Sequence, residues 1–362
     1  TSRGVRQLPV SVEPVVEDTV HRFELGFRYG RRFERRSDEP VILMTQRRRL
    51  DAHLAEQAAT AGADFRDGVR ATALELDEGG GTVRFDGSAA AAPVVIGADG
   101  VNGLTARSLG LAVHRRHGVA LEGNVSHVHA REDYRGRAVV ELGTVPGGYA
   151  WVFPKGDHVN VGVGGWLHQG PQLRKHLARL CVEQRIPEDA LAHLRGYRLP
   201  LRRPGSPAAN GRTALVGDAA GLVDPVSGDG IYEAFLSAQL AADAALDVVA
   251  GRAPDFSRYA GELRRVLALS VAASWRAKLA LERFPRLSFT LLQAPQAWRA
   301  LEQLMRAADL AMYQAKARGG GQYVNRQEKT TKGAERNLVS MQKGEHGRLD
   351  CLQQSGDMRN SA

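Results

Sequence analysis

Cysteine, long apolar runs and aromatic residues are all scarce in this 362-residue chain. Its two cysteines, Cys181 and Cys351, are too few for a disulfide framework, which predicts a reducing compartment such as the cytoplasm. No apolar run approaches the roughly 20 residues that a membrane-spanning helix needs. The start, TSRGVRQLPV, has neither the apolar core of a secretory signal nor an initiator methionine, so we expect a truncated or processed chain.

The net charge of +9 comes mainly from arginine, and part of it is concentrated in a basic segment between residues 28 and 49. One interpretation is a solvated surface, and the other is attraction to an anionic membrane surface or a phosphorylated substrate. No recognised nucleic-acid-binding module appears in the sequence, so nucleic-acid binding is not expected. The arginines of the basic segment are Arg28, Arg31, Arg32, Arg35, Arg36, Arg47, Arg48 and Arg49.

Alternation of strand-like and helix-like segments predicts a mixed α/β fold. Period-2 alternation fills residues 1–45, and a helical period starts at Arg47 and stops near Gly62. The short apolar run PVVIGADG suits a strand buried on both faces of a parallel sheet. Valine, aromatic and glycine residues alternate from about 118 to 166, which is typical of an antiparallel sheet. The strand RTALVGD and a series of helices follow.

The glycine-rich segment ALVGDAAGLVDPVSGDGIYEA has the pattern of a nucleotide or flavin site. Asp218 ends a strand, where its carboxylate can accept hydrogen bonds from ribose or ribityl hydroxyls. Small residues such as Gly221 let a ligand approach the backbone. The residues SGDGI then open a helix, whose N–H groups and dipole favour an anion or an electron-rich ring edge. The alternative is an ordinary strand-to-helix turn capped by Ser227 or Asp229.

A second motif, VVIGADGVNGLTARSLGL, places Asp99 and Gly100 at the end of another apolar strand. Together the two motifs resemble the flavoprotein family that includes para-hydroxybenzoate hydroxylase, and most closely its geranylgeranyl reductase branch. The resemblance covers about residues 5–300. Its motifs are GADG at 97–100, GD at 217–218, a PxxGxGI loop at 225–231 and the YxWxFPK stretch at 149–155.

The resemblance implies an α/β fold with a Rossmann-like FAD-binding domain, incomplete at its N-terminus, an antiparallel β substrate domain and a helical C-terminal part. The family begins with a βαβ unit that carries G-x-G-x-x-G, and we expect this chain to start after it and to bind FAD weakly. The implied divisions are 1–45 for the start of the substrate sheet, 46–117 and 201–250 for FAD binding, 118–200 for the substrate domain, 251–318 for helices and 319–362 for a disordered tail.

The same resemblance implies which residues bind cofactor and substrate. Tyr149, Trp151 and Phe153 are implied to line an apolar substrate site, with ordinary sheet core as the alternative. Gly103 and Ala106 depart from the usual Ser and Arg of the family, which weakens the second motif. No catalytic acid and no metal site is identifiable. The implied FAD-binding residues are Arg47, Asp99, Gly100, Gly217, Asp218, Pro225, Gly228, Asp229, Gly230 and Ile231.

By resemblance, the chain is an FAD-dependent enzyme that reduces isoprenoid carbon–carbon double bonds in lipid biosynthesis, with NAD(P)H or another donor as reductant. The expected partner is a prenyl lipid, met by a cytoplasmic protein that contacts the inner face of the membrane. Two alternatives stay open: a monooxygenase or halogenase of the same fold, and a remnant that cannot hold FAD. Residues 308–323 are similar to the last helix of GGDEF-type diguanylate cyclases but imply no cyclase activity.

Overall fold

A computed structural model describes residues 8–111, 116–130 and 133–299 of the chain. The predictions for 308–323 and 319–362 lie outside these residues. Among the described helices, none is both long and apolar enough to cross a membrane. The described helices are α1 (Arg47–Thr60), α2 (Leu104–Ser108), α3 (Leu173–Glu183), α4 (Ile231–Val249), α5 (Ser257–Arg283) and α6 (Pro285–Leu292), and short 3-10 turns cover Glu13–Val15, Leu167–Gln172, Glu188–Ala190 and Gly217–Ala220.

The strands form four sheets. A large mixed sheet has the order β13-β9-β12-β11-β10-β2-β3, and smaller sheets have the orders β14-β15-β8, β5-β6-β7 and β1-β4. The strand bounds are β1 Asp18–Val20, β2 Arg22–Phe27, β3 Arg31–Arg36, β4 Ile42–Met44, β5 Ala71–Asp77, β6 Gly80–Phe85, β7 Ser88–Ala92, β8 Val95–Gly97, β9 Arg116–Ser126, β10 Arg137–Leu142, β11 Tyr149–Pro154, β12 His158–Trp166, β13 Ala192–Leu201, β14 Ala209–Asn210 and β15 Thr213–Leu215.

The seven-stranded sheet has two chemically different faces, because successive side chains of a strand alternate between them. The α3 face is packed with aliphatic side chains against helix α3. The opposite face carries most of the aromatic residues, and we call it the aromatic face. Members of the α3 face include Val139, Val152, Val161, Leu177 and Leu180; the aromatic face carries Phe23, Phe27, Phe33, Tyr149, Trp151 and Phe153.

Strands β8 and β15 are the parallel pair that brings the two glycine-rich motifs together. Their register pairs Gly97 with Leu215, and the Val216 N–H donates to the Gly97 carbonyl at 3.0 Å. Because the carboxyl ends of parallel strands meet at one sheet edge, both motifs open from the same edge. The expected burial of β8 on both faces is wrong for Ile96, which is 39% exposed, because the described residues leave its face of this sheet partly uncovered.

Helix α5 is anchored to the large sheet by a stack of aromatic and cationic side chains. The rings of Trp166 and Trp275 stack with centroids 6.3 Å apart, and the Lys278 ammonium lies 4.4 Å above the Trp166 ring. Lys278 also donates to the Gly147 carbonyl at 2.7 Å, and Trp275 Nε1 donates to the Arg202 carbonyl at 2.7 Å. These contacts fix α5 across the sheet and the segment that leads to the glycine-rich loop.

Glu141 is a carboxylate that is completely buried on the α3 face. Its Oε1 accepts a 2.5 Å hydrogen bond from the backbone N–H of Tyr29, and its Oε2 has no hydrogen-bond partner among the described residues. The side chain fits because the paired residue is Gly26, where an added Cβ would lie 1.8 Å from Oε2. Burial raises the pKa of Glu141 to about 7.

We predict that Glu141 makes the folding stability depend on pH. A raised carboxyl pKa favours the folded state below pH 4.5 and withdraws that contribution as the pH rises through about 7. At about 1.4 kcal/mol per pKa unit, the loss reaches roughly 3 kcal/mol. Glu141→Gln should remove this loss. Its free energy of unfolding, measured by denaturant titration, should therefore change less between about pH 5 and about pH 8 than that of the unmodified protein. The exposed Glu34→Gln is the control, and equal pH profiles for both variants would contradict the prediction.

Candidate functional site

The strand end at Gly217 and Asp218 is held against the first turns of α4. The Gly217 N–H donates to Ser237 Oγ at 3.0 Å, and an added Cβ on Gly217 would lie 3.1 Å from the Cβ of Ala234. Asp218 is half-buried, and its Oδ1 lies 3.2 Å from the position of a Cβ on Gly230. The carboxylate and the start of α4 therefore face the same small space.

Asp224 organises the loop of residues 224–231, which we call the glycine loop. Its Oδ1 accepts hydrogen bonds from the N–H groups of Val226 and Ser227, at 2.9 and 2.8 Å, and from Ser227 Oγ at 3.0 Å. Its Oδ2 accepts a hydrogen bond from Ser274 Oγ of helix α5. The backbone closes the same loop, since Asp224 N–H donates to the Asp229 carbonyl at 2.9 Å. One carboxylate thus fixes both the loop and its position against α5.

The glycine loop leads directly into helix α4. Asp229 Oδ1 accepts a hydrogen bond from the N–H of Ile231, the first residue of the helix, at 3.1 Å, whereas the N-cap position is Gly230, which offers no side chain to cap the helix. Gly228 has a φ of 67°, a conformation that side chains rarely adopt, and its N–H donates to the Asp224 carbonyl at 3.0 Å. The loop therefore has one backbone position that favours glycine, with Pro225 and Gly230 beside it.

Asp99 caps helix α2. Its Oδ2 accepts two hydrogen bonds from Thr105, one from the N–H and one from Oγ1, both at 2.8 Å. An added Cβ on Gly103 would lie 2.1 Å from the Asp99 carboxyl carbon, so glycine leaves the space that this carboxylate occupies. Gly100 has a φ of 74°. Gly103, where the family usually has Ser, thus leaves room for the Asp99 side chain to bond Thr105. The proposed contact of Asp99 with FAD stays a prediction.

The start of α1 contacts the large sheet through Lys155. The Lys155 ammonium donates to the Thr45 carbonyl at 2.8 Å, and burial lowers its pKa. Arg47, two residues after Thr45, forms a 3.1 Å ion pair with Asp51 on an exposed surface of α1. The structure brings the FPK end of the aromatic strand to the start of α1, whereas the ion pair of Arg47 lies within its own helix.

The aromatic strand β11 meets the glycine loop at Tyr149, whose hydroxyl donates to the Ser227 carbonyl. Burial raises the pKa of Tyr149, and the nearby carboxylates Asp229 and Asp224 raise it further. The ring of Trp151 lies 5.7 Å from that of Tyr149 and 6.1 Å from that of Phe153. The three residues predicted to bind substrate are therefore one continuous aromatic surface that begins at the loop.

A polar row beside this surface escaped the sequence analysis. Trp151 Nε1 donates to Asn160 Oδ1 at 2.8 Å, and Asn160 Nδ2 donates to Asn124 Oδ1 at 3.0 Å. The Asn160 side chain also lies close enough to Glu122 to lower its pKa. The only sequence signal was NVGVGG in β12, where alternate glycines opposite an aromatic strand leave room for large rings.

The residues present fit FAD on two observations of the described chain. A half-buried carboxylate, Asp218, ends the parallel strand beside Gly230, and a 19-residue helix starts at Ile231, after a loop in which Gly228 has a positive φ. These supply an acceptor for ribityl hydroxyls and a positive helix end for the electron-rich edge of a flavin. Within the described residues, no group of His, Cys, Asp and Glu side chains could hold a metal ion.

Two family models match the chain. The geranylgeranyl reductase catalytic domain matches residues 127–193, and an FAD binding domain matches residues 11–152. The second match supports FAD as the cofactor, in agreement with the fit above. The first range contains the whole aromatic strand β11.

Sequence relatives carry names of the same kind. The chain is 33% identical over 252 residues to a chloroplastic geranylgeranyl diphosphate reductase of Oryza sativa subsp. japonica, in a match that covers 62% of this chain and 53% of the relative. It is 29% identical over 270 residues to a digeranylgeranylglycerophospholipid reductase of Methanocella arvoryzae, covering 68% and 66%. The chain therefore spans about half the length of the plant relative.

Solved structures confirm the predicted fold class. A geranylgeranyl bacteriochlorophyll reductase-like protein of Thermoplasma acidophilum superposes with a TM-score of 0.65 at 23% identity, covering 75% of this chain and 74% of the other. A flavin-dependent brominase superposes with a TM-score of 0.62 at 16% identity, covering 80% and 77%. At these identities the likeness concerns the fold alone, which both kinds of flavoprotein share.

We predict that Ser274 keeps the glycine loop ordered through Asp224. Ser274→Ala removes a hydrogen bond to a carboxylate, which is worth roughly 1.5–3 kcal/mol. The amides of Val226 and Ser227 should then exchange with deuterium at least about tenfold faster, given that 1.4 kcal/mol is a factor of ten. The matched control is Ser270→Ala, since Ser270 Oγ donates only to the Leu267 carbonyl of its own helix in the contacts described. Equal exchange in both variants would remove Ser274 from this role.

Proposed function

We propose that the chain is a member of the geranylgeranyl reductase family of FAD-dependent oxidoreductases, to whose model and relatives it is similar, and that it reduces isoprenoid carbon–carbon double bonds of a prenyl lipid. The observation that carries this proposal is the hydrogen bond from Tyr149 to Ser227, because it joins the aromatic strand of the matched catalytic domain to the loop that fits FAD. NAD(P)H or another donor would supply the electrons.

The proposed division of labour follows from the chemistry of each surface. When bound, reduced FAD supplies a hydride, and the glycine loop and Asp218 hold and orient it. The aromatic face supplies an apolar surface for a prenyl chain, along the row Tyr149, Trp151 and Phe153. An isolated alkene has no carbonyl group to polarise, so the other alkene carbon needs a proton from an acid.

A flavin-dependent monooxygenase or halogenase is the second candidate, because such an enzyme shares the fold. Both reactions consume oxygen, whereas alkene reduction needs none. The match of residues 127–193 to the reductase catalytic domain favours the first candidate.

The first test is an anaerobic assay. The FAD-loaded protein, reduced with dithionite, should be reoxidised by geranylgeranyl diphosphate and should yield a lipid with two more hydrogen atoms, measured by absorbance and mass spectrometry. The fully saturated phytanyl analogue is the control, because it offers no double bond. Flavin that stays reduced with the unsaturated lipid, but reoxidises with oxygen and modifies a substrate, would favour the second candidate.

We further propose that one corner of the protein contacts an anionic membrane surface, where such lipids reside. The side chains of Phe284, Leu287 and Leu291, at the start and along helix α6, are 58%, 57% and 57% exposed. Arg283 and Arg286 are exposed among them. Arg35 of the basic segment donates to the Gln293 carbonyl, which joins strand β3 to the end of α6. Apolar side chains beside arginines suit a surface that carries anionic headgroups.

Leu287→Glu should weaken binding to vesicles that contain phosphatidylserine by about tenfold or more, since full burial of a leucine side chain contributes roughly 1.5–3 kcal/mol. Vesicle co-sedimentation measures the effect, and salt should weaken the binding of the unmodified protein. Val128→Glu is the control, because Val128 is 87% exposed in a turn of another part of the chain. Unchanged vesicle binding by Leu287→Glu, or none by the unmodified protein, would contradict this proposal.

A further inference from the structure

We propose that Glu122 is the acid that supplies the proton to the second alkene carbon, an inference that rests on the reductase function proposed above. No proton donor is identifiable from the sequence motifs alone. Glu122 lies midway along β9, the strand next to edge strand β13 of the large sheet, and its side chain points to the aromatic face. The geometry of three neighbouring strands carries this assignment.

Glu122 and Trp151 are neighbours across a missing side chain. The sheet register pairs Trp151 with Gly162, and Gly162 with Glu122, so all three lie in one row on the aromatic face. A Cβ added to Gly162 would lie 2.2 Å from Trp151 Cζ2 and 2.9 Å from Glu122 Cβ. The indole therefore fills the space above the glycine and reaches the carboxylate side chain. A prenyl chain lying on Trp151 would come within reach of Glu122.

The same row lies one step from the glycine loop. The adjacent row on the aromatic face contains Tyr149, Gly164 and Ala120. Two residues along a strand span about 7 Å, and Tyr149 itself contacts Ser227 of the loop. Glu122 therefore lies two strands and one row from Tyr149, the residue at which the aromatic surface meets the loop.

Asn160 lies beside both Trp151 and Glu122. Its Oδ1 accepts the 2.8 Å hydrogen bond from the indole, its Nδ2 donates to Asn124 Oδ1 at 3.0 Å, and its side chain lowers the pKa of Glu122. One side chain thus orients the substrate surface next to the carboxyl group, which would help to preserve their distance during turnover.

The charges around Glu122 leave it a suitable acid. Burial raises its pKa, and the hydrogen bond from Asn160 and the charges of Lys155 and Arg195 lower it by less. Arg195 of β13 lies directly opposite Glu122 in the strand register, and Lys155 follows the last residue of β11. A carboxyl group with a raised pKa is protonated more often near neutral pH, and the two cations stabilise the carboxylate once the proton has left.

Two other groups near the loop are less suited to donate this proton. The Tyr149 hydroxyl hydrogen is directed to the Ser227 carbonyl, and burial raises its pKa further above its usual range. The Lys155 ammonium is directed to the Thr45 carbonyl. Glu141 is buried on the α3 face of the same sheet, away from both the aromatic surface and the loop.

The proposed step balances in atoms and electrons. One alkene carbon receives the hydride and its electron pair, and the π pair of the double bond forms the new C–H bond to the Glu122 proton. The electron pair of the broken O–H bond stays on the Glu122 carboxylate. A proton from solvent restores the acid, and the oxidised flavin is reduced again by the electron donor.

The test compares Glu122→Gln with Glu141→Gln, two carboxyl-to-amide changes on opposite faces of one sheet. Single-turnover reoxidation of the dithionite-reduced, FAD-loaded protein by geranylgeranyl diphosphate should slow at least about 100-fold in Glu122→Gln, in line with loss of a general acid. The rate in Glu141→Gln and the FAD affinity of both variants should stay within about threefold. In the unmodified protein the rate should fall as the pH rises through the pKa of Glu122, and Glu122→Asp should retain an acid limb at a shifted pH.

A second readout needs neither cofactor nor lipid. Ionisation of Glu122 changes the field at the Trp151 indole through Asn160, so tryptophan fluorescence should titrate with pH. This titration should vanish in Glu122→Gln and in Trp151→Phe, and persist in Glu141→Gln.

Three outcomes separate this assignment from the function on which it rests. Equal single-turnover rates in the unmodified protein and Glu122→Gln would overturn the assignment and leave the reductase function intact. A Trp151 titration that persists in Glu122→Gln would overturn it as well. Failure of the unmodified protein to be reoxidised by the lipid would contradict the reductase function itself, and the assignment would fall with it.

Discussion

The carboxylate of Asp224 is the constraint on which the proposed site depends. It accepts hydrogen bonds from two backbone amides and from Ser227 of its own loop, and from Ser274 of a helix that is far along the chain. A loop rich in glycine has many conformations to lose, and these bonds offset that entropy. Because Tyr149 donates to the carbonyl of Ser227, the same carboxylate also sets where the aromatic face meets the loop.

Glycines make room for the functional side chains at three places. Gly162 leaves space for the Trp151 indole, and Gly103 leaves space for the Asp99 carboxylate that caps α2. Gly26 does the same for the buried Glu141. In each case an added Cβ would lie 2.2, 2.1 or 1.8 Å from the neighbouring atom, well inside contact distance. These positions require the absence of a side chain rather than a special backbone angle. Each glycine therefore marks a place where a larger neighbouring side chain is packed.

Sequence periodicity predicted the elements that depend on local pattern. The helix expected from Arg47 with a stop near Gly62 is confirmed as α1, which ends at Thr60 with Gly62 at a φ of 98°. The strand and helix around the glycine loop are confirmed as β15 and α4. The wrong expectation concerned Ile96, because a short apolar run does not reveal whether both faces of its strand are covered.

The polar row could not be predicted from the sequence, because it depends on how the strands are aligned with one another in the sheet. Glu122, Trp151 and Asn160 are separated by up to 38 residues, and a shift of one residue in either strand pair would turn one of them to the α3 face. The same alternation explains how one sheet holds a buried and a half-buried glutamate with different consequences. Glu141 is fully buried on the α3 face, where burial raises its pKa to about 7 and ionisation destabilises the fold. Glu122 lies on the aromatic face near an amide and two cations, which offset part of the desolvation that raises its pKa.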